Sequence, residues 1–90
     1  REWQVAALVT ACDEAGNATL SLRNKFRAGD ALELVGPDLR PFSMTAPMMT
    51  GEAGEVLEEP RTPQMTFHMK LPQAVPPYTL VRRAVELSAK

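Results

Sequence analysis

Apolar and polar residues alternate with a period of two along several short stretches of the chain. Ala18, Leu20 and Leu22 alternate with more polar neighbours, and the same spacing returns over residues 65–71. Successive side chains of a β-strand point to opposite faces of a sheet, so this period is typical of half-buried strands. The continuous apolar run over residues 3–12 fits a buried strand, although its periodicity alone also allows a helix.

Turn-forming residues separate these stretches. The polar cluster at 13–17 predicts a hairpin between the first two strands, and the Gly29-Asp30 corner precedes a third strand. Residues 78–83 are predicted to form a last strand or a helical turn. Five or six short strands with regular turns predict an all-β domain over residues 1–90, a small closed or nearly closed barrel of about six strands. Closure would also remove exposed sheet edges.

Composition narrows the possible functions. The 90 residues carry a formal net charge of −1, so no overall basic field draws the chain to nucleic acid, and such contact needs a local patch. Cys12 is the one cysteine and cannot form an internal disulfide, which fits a reducing, cytoplasmic location. There is no signal peptide and no apolar run near the roughly 20 residues of a membrane-spanning helix, so we expect no membrane partner.

Few side chains have the character of a nucleophile, base or soft metal ligand. His68 is predicted to face solvent from its strand, and Cys12 to fill a small position in or near the core. Structural zinc takes four Cys or His ligands and the chain has two such residues, so no metal is expected. The acidic run at 52–59 fits no calcium loop and indicates a solvated hairpin end. We therefore predict no catalytic residue and no cofactor.

A basic stretch around an aromatic residue is the best candidate for a binding site. Arginine and lysine beside an aromatic ring can hold phosphates while the ring stacks on a base. The alternative is a solvated turn in which Phe26 caps the barrel end. Arg82 and Arg83 extend the patch if the fold brings them close. The predicted nucleic-acid site comprises Arg23, Lys25, Phe26, Arg27, Arg82 and Arg83.

Two further features are predicted to serve structure or docking and to have no catalytic role. Gly29 tolerates backbone angles that other residues avoid, and Asp30 can bond nearby backbone amides, so the pair is predicted to be a structural turn. Met48 and Met49, if both exposed, would form an apolar patch on which a partner protein docks.

The segment 24–37, NKFRAGDALELVGP, resembles a signature of the C-terminal domain of the collagenase-like peptidase family U32. That signature runs N-K/R-F-x-x-G-D-x-L-E-hydrophobic-x-x-P. The similarity continues through the Gly-containing turn of 48–54, the alternating strand of 65–71 and the closing segment of 77–82. It covers about residues 3–83. The Gly-Asp corner also resembles one in the second-domain barrels of translation elongation factors, which is an analogy of fold alone.

The resemblance implies an accessory domain that follows a larger catalytic domain similar to a TIM-type barrel. Members of the family are described as proteases or collagenases, or as acting in hydroxylation of the wobble uridine of tRNA with a cysteine-held iron–sulfur cluster. In both descriptions the chemistry belongs to the N-terminal domain, so the resemblance implies neither catalytic residues nor a cofactor here. The expected partners are that catalytic domain and tRNA. The alternative is a docking domain of a U32 protease.

Overall fold

The computed structural model describes residues 2–85, and these residues form eight β-strands. In chain order the strands are β1 (Glu2–Cys12), β2 (Asn17–Leu22), β3 (Ala31–Gly36), β4 (Leu39–Thr45), β5 (Met49–Gly51), β6 (Val56–Leu57), β7 (Thr66–Lys70) and β8 (Leu80–Val85). The predicted all-β class is confirmed, and both ambiguous segments are strands. The count exceeds six because β5 and β6 are very short and fall in a segment whose composition indicated only a turn.

All eight strands belong to one antiparallel sheet in the order β4-β3-β8-β1-β2-β7-β5-β6. The last strand, β8, lies between β3 and β1 and pairs with both. The long strand β1 carries two irregularities in its register, one between Val5 and Ala7 and one between Val9 and Ala11. Bulges of this kind bend a strand and increase its twist, which lets one sheet curl around a single core.

The loop of residues 23–30, here called the closing loop, connects the two edges of the sheet. The amide of Ala28 donates to the carbonyl of Glu58, just after β6, at 2.8 Å. The amide of Gly29 donates to the carbonyl of Ala46, just after β4, and the Ala46 amide donates back to Asp30, both at 2.8 Å. In residues 2–85 no strand ladder joins β4 to β6, so these loop contacts make the barrel-like sheet nearly closed.

The core lies inside the curled sheet. Inward positions of the strands alternate with outward ones, as the period of two requires, and the closing loop adds Phe26 from one end. The largest buried side chains include Phe26, Phe67, Leu20, Leu22, Leu32, Leu34 and Met49. In the described part of the chain there is no helix of the length and apolarity that a membrane crossing requires.

Candidate functional site

Phe26 is part of the core. Its side chain is 1% exposed, and its ring packs against that of Phe67 with centroids 5.8 Å apart and planes inclined by 56°. A tilted pair at this distance is a favourable aromatic contact. The ring therefore has no free face for a nucleic-acid base, and the predicted nucleic-acid role is wrong for Phe26. The alternative interpretation, a cap on the barrel end, describes its position.

Gly29 and Asp30 form the turn that brings the closing loop to the sheet edges. Gly29 has a φ of 97°, in the left-handed region that favours glycine. The Asp30 carboxylate accepts a hydrogen bond from the amide of Arg27 at 2.9 Å, and the Asp30 amide donates to the carbonyl of Arg27 at 3.1 Å. These bonds fix the backbone of the turn between Arg27 and Asp30.

Three of the five predicted basic residues are paired with acidic side chains. Arg27 donates to Glu58 at 2.9 Å, and this hydrogen bond raises the pKa of Arg27 above its ordinary value. Arg82 donates to one oxygen of Glu33 through Nε at 2.8 Å and Nη2 at 2.5 Å. Each of these carboxylates offsets the charge with which a phosphate would interact.

Arg82 and Arg83 point to opposite sides of β8. The Arg82 guanidinium lies 4.5 Å from the centre of the Trp3 ring on the outer face of the sheet. The Arg83 side chain lies on the same face of β8 as buried Val81, and its Nη1 lies 3.6 Å from the Asp30 carboxylate. Its Nε is buried without a hydrogen-bond partner. The fold therefore does not gather the basic residues into one patch.

Arg23 and Lys25 remain exposed on the closing loop. Arg23 donates to the hydroxyl of Ser21 at 3.1 Å, and neither cation pairs with a carboxylate of another described residue. They are the two cations of the predicted site without an acidic partner among the described residues; Arg27 is also exposed but is paired with Glu58.

A groove on the outer face of β1, β2, β7 and β5 was missed by sequence reasoning. The pairing register aligns Ala11, Thr19, His68 and Thr50 in one row across these four strands. Neighbouring strands lie about 4.8 Å apart, so the row is about 14 Å long. The groove, here called the threonine groove, has a volume of about 660 Å³ and is bordered by Met48, whose side chain is 53% exposed.

Hydrogen bonds fix the polar side chains of the threonine groove. The Thr19 hydroxyl lies 3.3 Å from Nδ1 of His68. At one end, the Asp13 carboxylate accepts from the amides of Ala15 and Asn17 and from the Asn17 side chain, each at 2.9 Å. The bonds from Asn17 lower the pKa of Asp13. Lys70 is held at the same end by a 2.5 Å bond to the Ala15 carbonyl.

Cys12 and His68 both border this groove but are bonded to different groups. The Cys12 thiol donates to the carbonyl of Asp13 at 3.4 Å, and His68 contacts Thr19. Within residues 2–85 no three His, Cys, Asp or Glu side chains are grouped as metal ligands. An iron–sulfur cluster held by four cysteines does not fit this chain, since the sequence contains one.

The predicted docking pair of methionines is divided by the fold. Met49 is buried in the core and Met48 is exposed, so the two do not form one patch. The exposed apolar side chains on the outer face of β1 and β8 are instead Trp3 and Leu80. Leu80 stands opposite Leu8 in the ladder, and Trp3 stands opposite Ala84.

Comparison with known proteins gives consistent results. The family model described as the peptidase family U32 C-terminal domain matches residues 1–82. The tRNA hydroxylation protein P1 of Bacillus subtilis (strain 168) is 32% identical over 65 residues, which are 72% of this chain. Those residues are 15% of that relative, so the chain spans about 15% of the length of the curated protein it matches.

Two solved structures resemble the fold. The C-terminal domain of a U32 peptidase homologue of Geobacillus thermoleovorans superposes with a TM-score of 0.86 and 31% identity, covering 91% of this chain and 93% of that one. The selenomethionine variant of the same domain gives a TM-score of 0.84 and 33% identity, covering 89% and 99% of the two chains.

Proposed function

Because the chain belongs to the peptidase family U32 C-terminal domains, we propose that it is a non-catalytic accessory domain that contributes tRNA binding to an enzyme of this family. The observation that carries the proposal is the 32% identity to a relative named as a tRNA hydroxylation protein. That relative is far longer than the matched segment, and we assign its chemistry to the remaining part. A cytoplasmic location belongs to the same proposal.

The surface supports a modest electrostatic contribution to binding. With a net charge of −1 and three of five predicted cations paired, attraction to phosphates falls mainly to Arg23 and Lys25. Each phosphate contact with a single strand contributes about −0.7 to the slope of log affinity against log salt. Two contacts give a slope of about −1.4, which is shallow but measurable.

The test is a fluorescence-anisotropy titration of the 90-residue chain with labelled tRNA at low and at physiological salt. We expect weak, salt-dependent binding. The double variant Arg23→Ala, Lys25→Ala should lower the affinity and flatten the slope by about 1.4. A matched control, Arg40→Ala with Arg61→Ala, removes the same charge from exposed residues outside the closing loop and should leave the slope unchanged.

Absence of binding at low salt, where electrostatic attraction is strongest, would contradict the proposal. Equal losses in the loop variant and the control would show that only net charge matters, and the closing loop would then have no specific part in binding.

A second candidate is docking on the catalytic part of the same protein, as in a U32 protease. The observation in its favour is that two large apolar residues, Trp3 and Leu80, are exposed on the outer face of β1 and β8. Substituting Leu80→Ser should then weaken association with the separately produced catalytic part and leave tRNA affinity unchanged. If Leu80→Ser associates as the unaltered chain does, this face is not the docking surface.

A further inference from the structure

We propose that Trp3 is the aromatic residue on which a base of single-stranded RNA stacks, beside the two unpaired cations of the closing loop, Arg23 and Lys25. The inference rests on the proposed function and names its contact surface. The sequence assigned the stacking ring to Phe26, which the fold buries. Trp3 takes that part, and Arg82 supports its ring from one side.

The Trp3 ring is held in place although its residue is 45% exposed. The Arg82 guanidinium lies 4.5 Å from the ring centre and is itself held by two hydrogen bonds to Glu33. This is a cation–π contact with one side of the ring. Ala84, which stands opposite Trp3 in the ladder, carries only a methyl group. A ring held in this way loses little conformational freedom when a base stacks on its exposed part.

The closing loop runs beside the same end of β1. The amides of Arg23 and Asn24 donate to the carbonyl of Ala6 at 2.8 and 3.1 Å. The Asn24 side chain also donates to the carbonyl of Val5 at 2.7 Å. Because of the bulge in β1, Ala6 is about two residue rises from Trp3, and Arg23 is one strand spacing across. The backbone of Arg23 is therefore roughly 8 Å from that of Trp3.

The Arg23 side chain and the Trp3 ring lie on the same outer face of the sheet. The Arg23 guanidinium donates to the hydroxyl of Ser21, which occupies an outward position of β2. The ladder row of Ser21 continues across β1 to Leu80, two residues before Arg82 on the same face of β8. Since Arg82 contacts the Trp3 ring, this ring and the Arg23 cation face one surface.

The charge of this surface is positive, whereas the chain as a whole carries −1. Arg23 and Lys25 have no carboxylate partner among residues 2–85. Glu33 offsets Arg82 alone, and Glu2 is directed to the opposite face of β1, as the alternation along a strand requires. Two free cations can contact phosphates while the neighbouring ring stacks on a base, which is the combination that single-strand binding uses.

A single strand suits this surface better than a duplex. The base faces in a duplex are covered by neighbouring bases, so a side-chain ring stacks on bases that are unpaired and splayed out. Stacking tolerates different sequences because every base has a π-face. A single-stranded loop of a tRNA is therefore the expected ligand.

The apolar residue of the docking candidate lies further along the sheet. Leu80 is four residues from Ala84 on β8, so it stands about 13 Å along the strands from the row of Trp3. The row of Val5 and Arg82 lies between them. The centre of a protein interface is poor in charge, whereas the neighbours of Trp3 include several cations. The two surfaces can therefore be separated by substitution.

The first measurement uses Trp3 as its own probe, since it is the one tryptophan of the chain. Titration of the 90-residue chain with an unlabelled single-stranded oligoribonucleotide should quench the tryptophan fluorescence. The dissociation constant from quenching should agree with that from the anisotropy of a labelled oligoribonucleotide of the same sequence. RNA binding without any change in tryptophan emission would overturn the inference.

Substitutions separate stacking from electrostatic attraction. Trp3→Leu keeps an apolar side chain against Arg82 and removes the ring. It should weaken oligoribonucleotide binding roughly 5- to 150-fold, the range for one stacked base, with an unchanged salt slope. Trp3→Phe restores a ring and should recover most of the affinity. The double variant Arg23→Ala, Lys25→Ala should instead flatten the slope.

Tyr78→Gly is the matched control. It removes an aromatic residue that is 71% exposed before the other end of β8, and its φ of 72° suits glycine, so the variant stays folded. It should bind the oligoribonucleotide as the unaltered chain does. An equal loss in Tyr78→Gly and Trp3→Leu would overturn the inference, because the effect would not be specific to Trp3.

The outcomes also separate this inference from the proposed function. If the unaltered chain binds tRNA and Trp3→Leu binds it equally well, the Trp3 site is wrong and tRNA binding stands. If the unaltered chain binds neither RNA, both proposals fail. If Trp3→Leu binds RNA normally but no longer associates with the separately produced catalytic part, the ring belongs to a docking surface and the RNA site is overturned.

Discussion

Gly16 and Gly29 have nearly the same φ angle but different surroundings, so the same substitution at each separates the cost of backbone strain from the cost of a steric collision. Their φ angles are 92° and 97°. A Cβ atom on Gly16 would lie 2.5 Å from the carbonyl oxygen of Leu71, whereas a Cβ on Gly29 would have no neighbour within 4 Å. Gly29→Ala therefore measures backbone strain alone, and Gly16→Ala adds a collision with backbone.

The expected losses of stability follow from these two costs, backbone strain and steric collision. The left-handed conformation costs alanine about 1–2 kcal/mol, and the reduced freedom of the unfolded chain returns about 0.4–1 kcal/mol. Gly29→Ala should thus lower the free energy of unfolding by no more than about 1.6 kcal/mol. Gly16→Ala must also displace Leu71, whose amide bonds the Gly16 carbonyl at 2.8 Å and whose side chain is buried. Its total loss should be about 2–4 kcal/mol.

The assay is urea and thermal unfolding followed by circular dichroism, with the dependence on urea checked to be the same in all three proteins. A domain of this size is stable by about 5–13 kcal/mol, so both variants remain folded. Gly16→Ala should melt roughly 5–20 °C below Gly29→Ala. Equal melting temperatures would refute the reasoning, because they would mean that the contact with Leu71 relaxes at no cost.

Two further predictions concern the closing loop and the first hairpin. Phe26→Ala should lower the free energy of unfolding measured in urea by about 3–5 kcal/mol, because it removes a buried aromatic ring from the core. Lys25→Ala in the same loop is the control and should change it by less than about 0.5 kcal/mol. A small loss for Phe26→Ala would show that its ring is not part of the core. The folded-state pKa of Asp13 lies below its ordinary value of 3.8, so the stability it contributes is present above that pH and is lost as pH falls through the folded-state pKa. The difference in urea midpoint between the unaltered chain and Asp13→Asn should therefore shrink in acid, and a constant difference would contradict this role.

The strands in which apolar and polar residues alternate strictly could be predicted from the sequence. The strands β2 and β7 appear directly in the period of two, and the conformational freedom of glycine indicated the corner at Gly29. Strands β5 and β6 could not be predicted because they have only three and two residues, and their pairing is set by partners elsewhere in the chain.

The candidate site was harder to predict, because it depends on the register of strand pairing and on side chains that are far apart in the sequence. Arg27 meets Glu58 across 31 positions, and Arg82 meets Glu33 across 49. Sequence showed the basic residues but assigned Glu58 to a solvated acidic run. The threonine groove is likewise assembled from separate segments, and only the pairing of β1, β2, β7 and β5 aligns its row. Polar residues at outward positions of adjacent strands were the available signal.

The placement of β8 has a consequence for how the chain reaches its native state during synthesis. Strand β3 pairs only with β4 and β8 in the described ladders, so the β3–β4 hairpin cannot join the sheet before β8 has left the ribosome. Until then β1 also has one unpaired edge, and apolar surface of both parts is exposed to water. Pairings between such distant segments form slowly, because the closure of a long loop precedes the contacts that stabilise it. The emerging chain therefore passes through an interval in which it depends on low local concentration or on chaperones to avoid pairing with other chains.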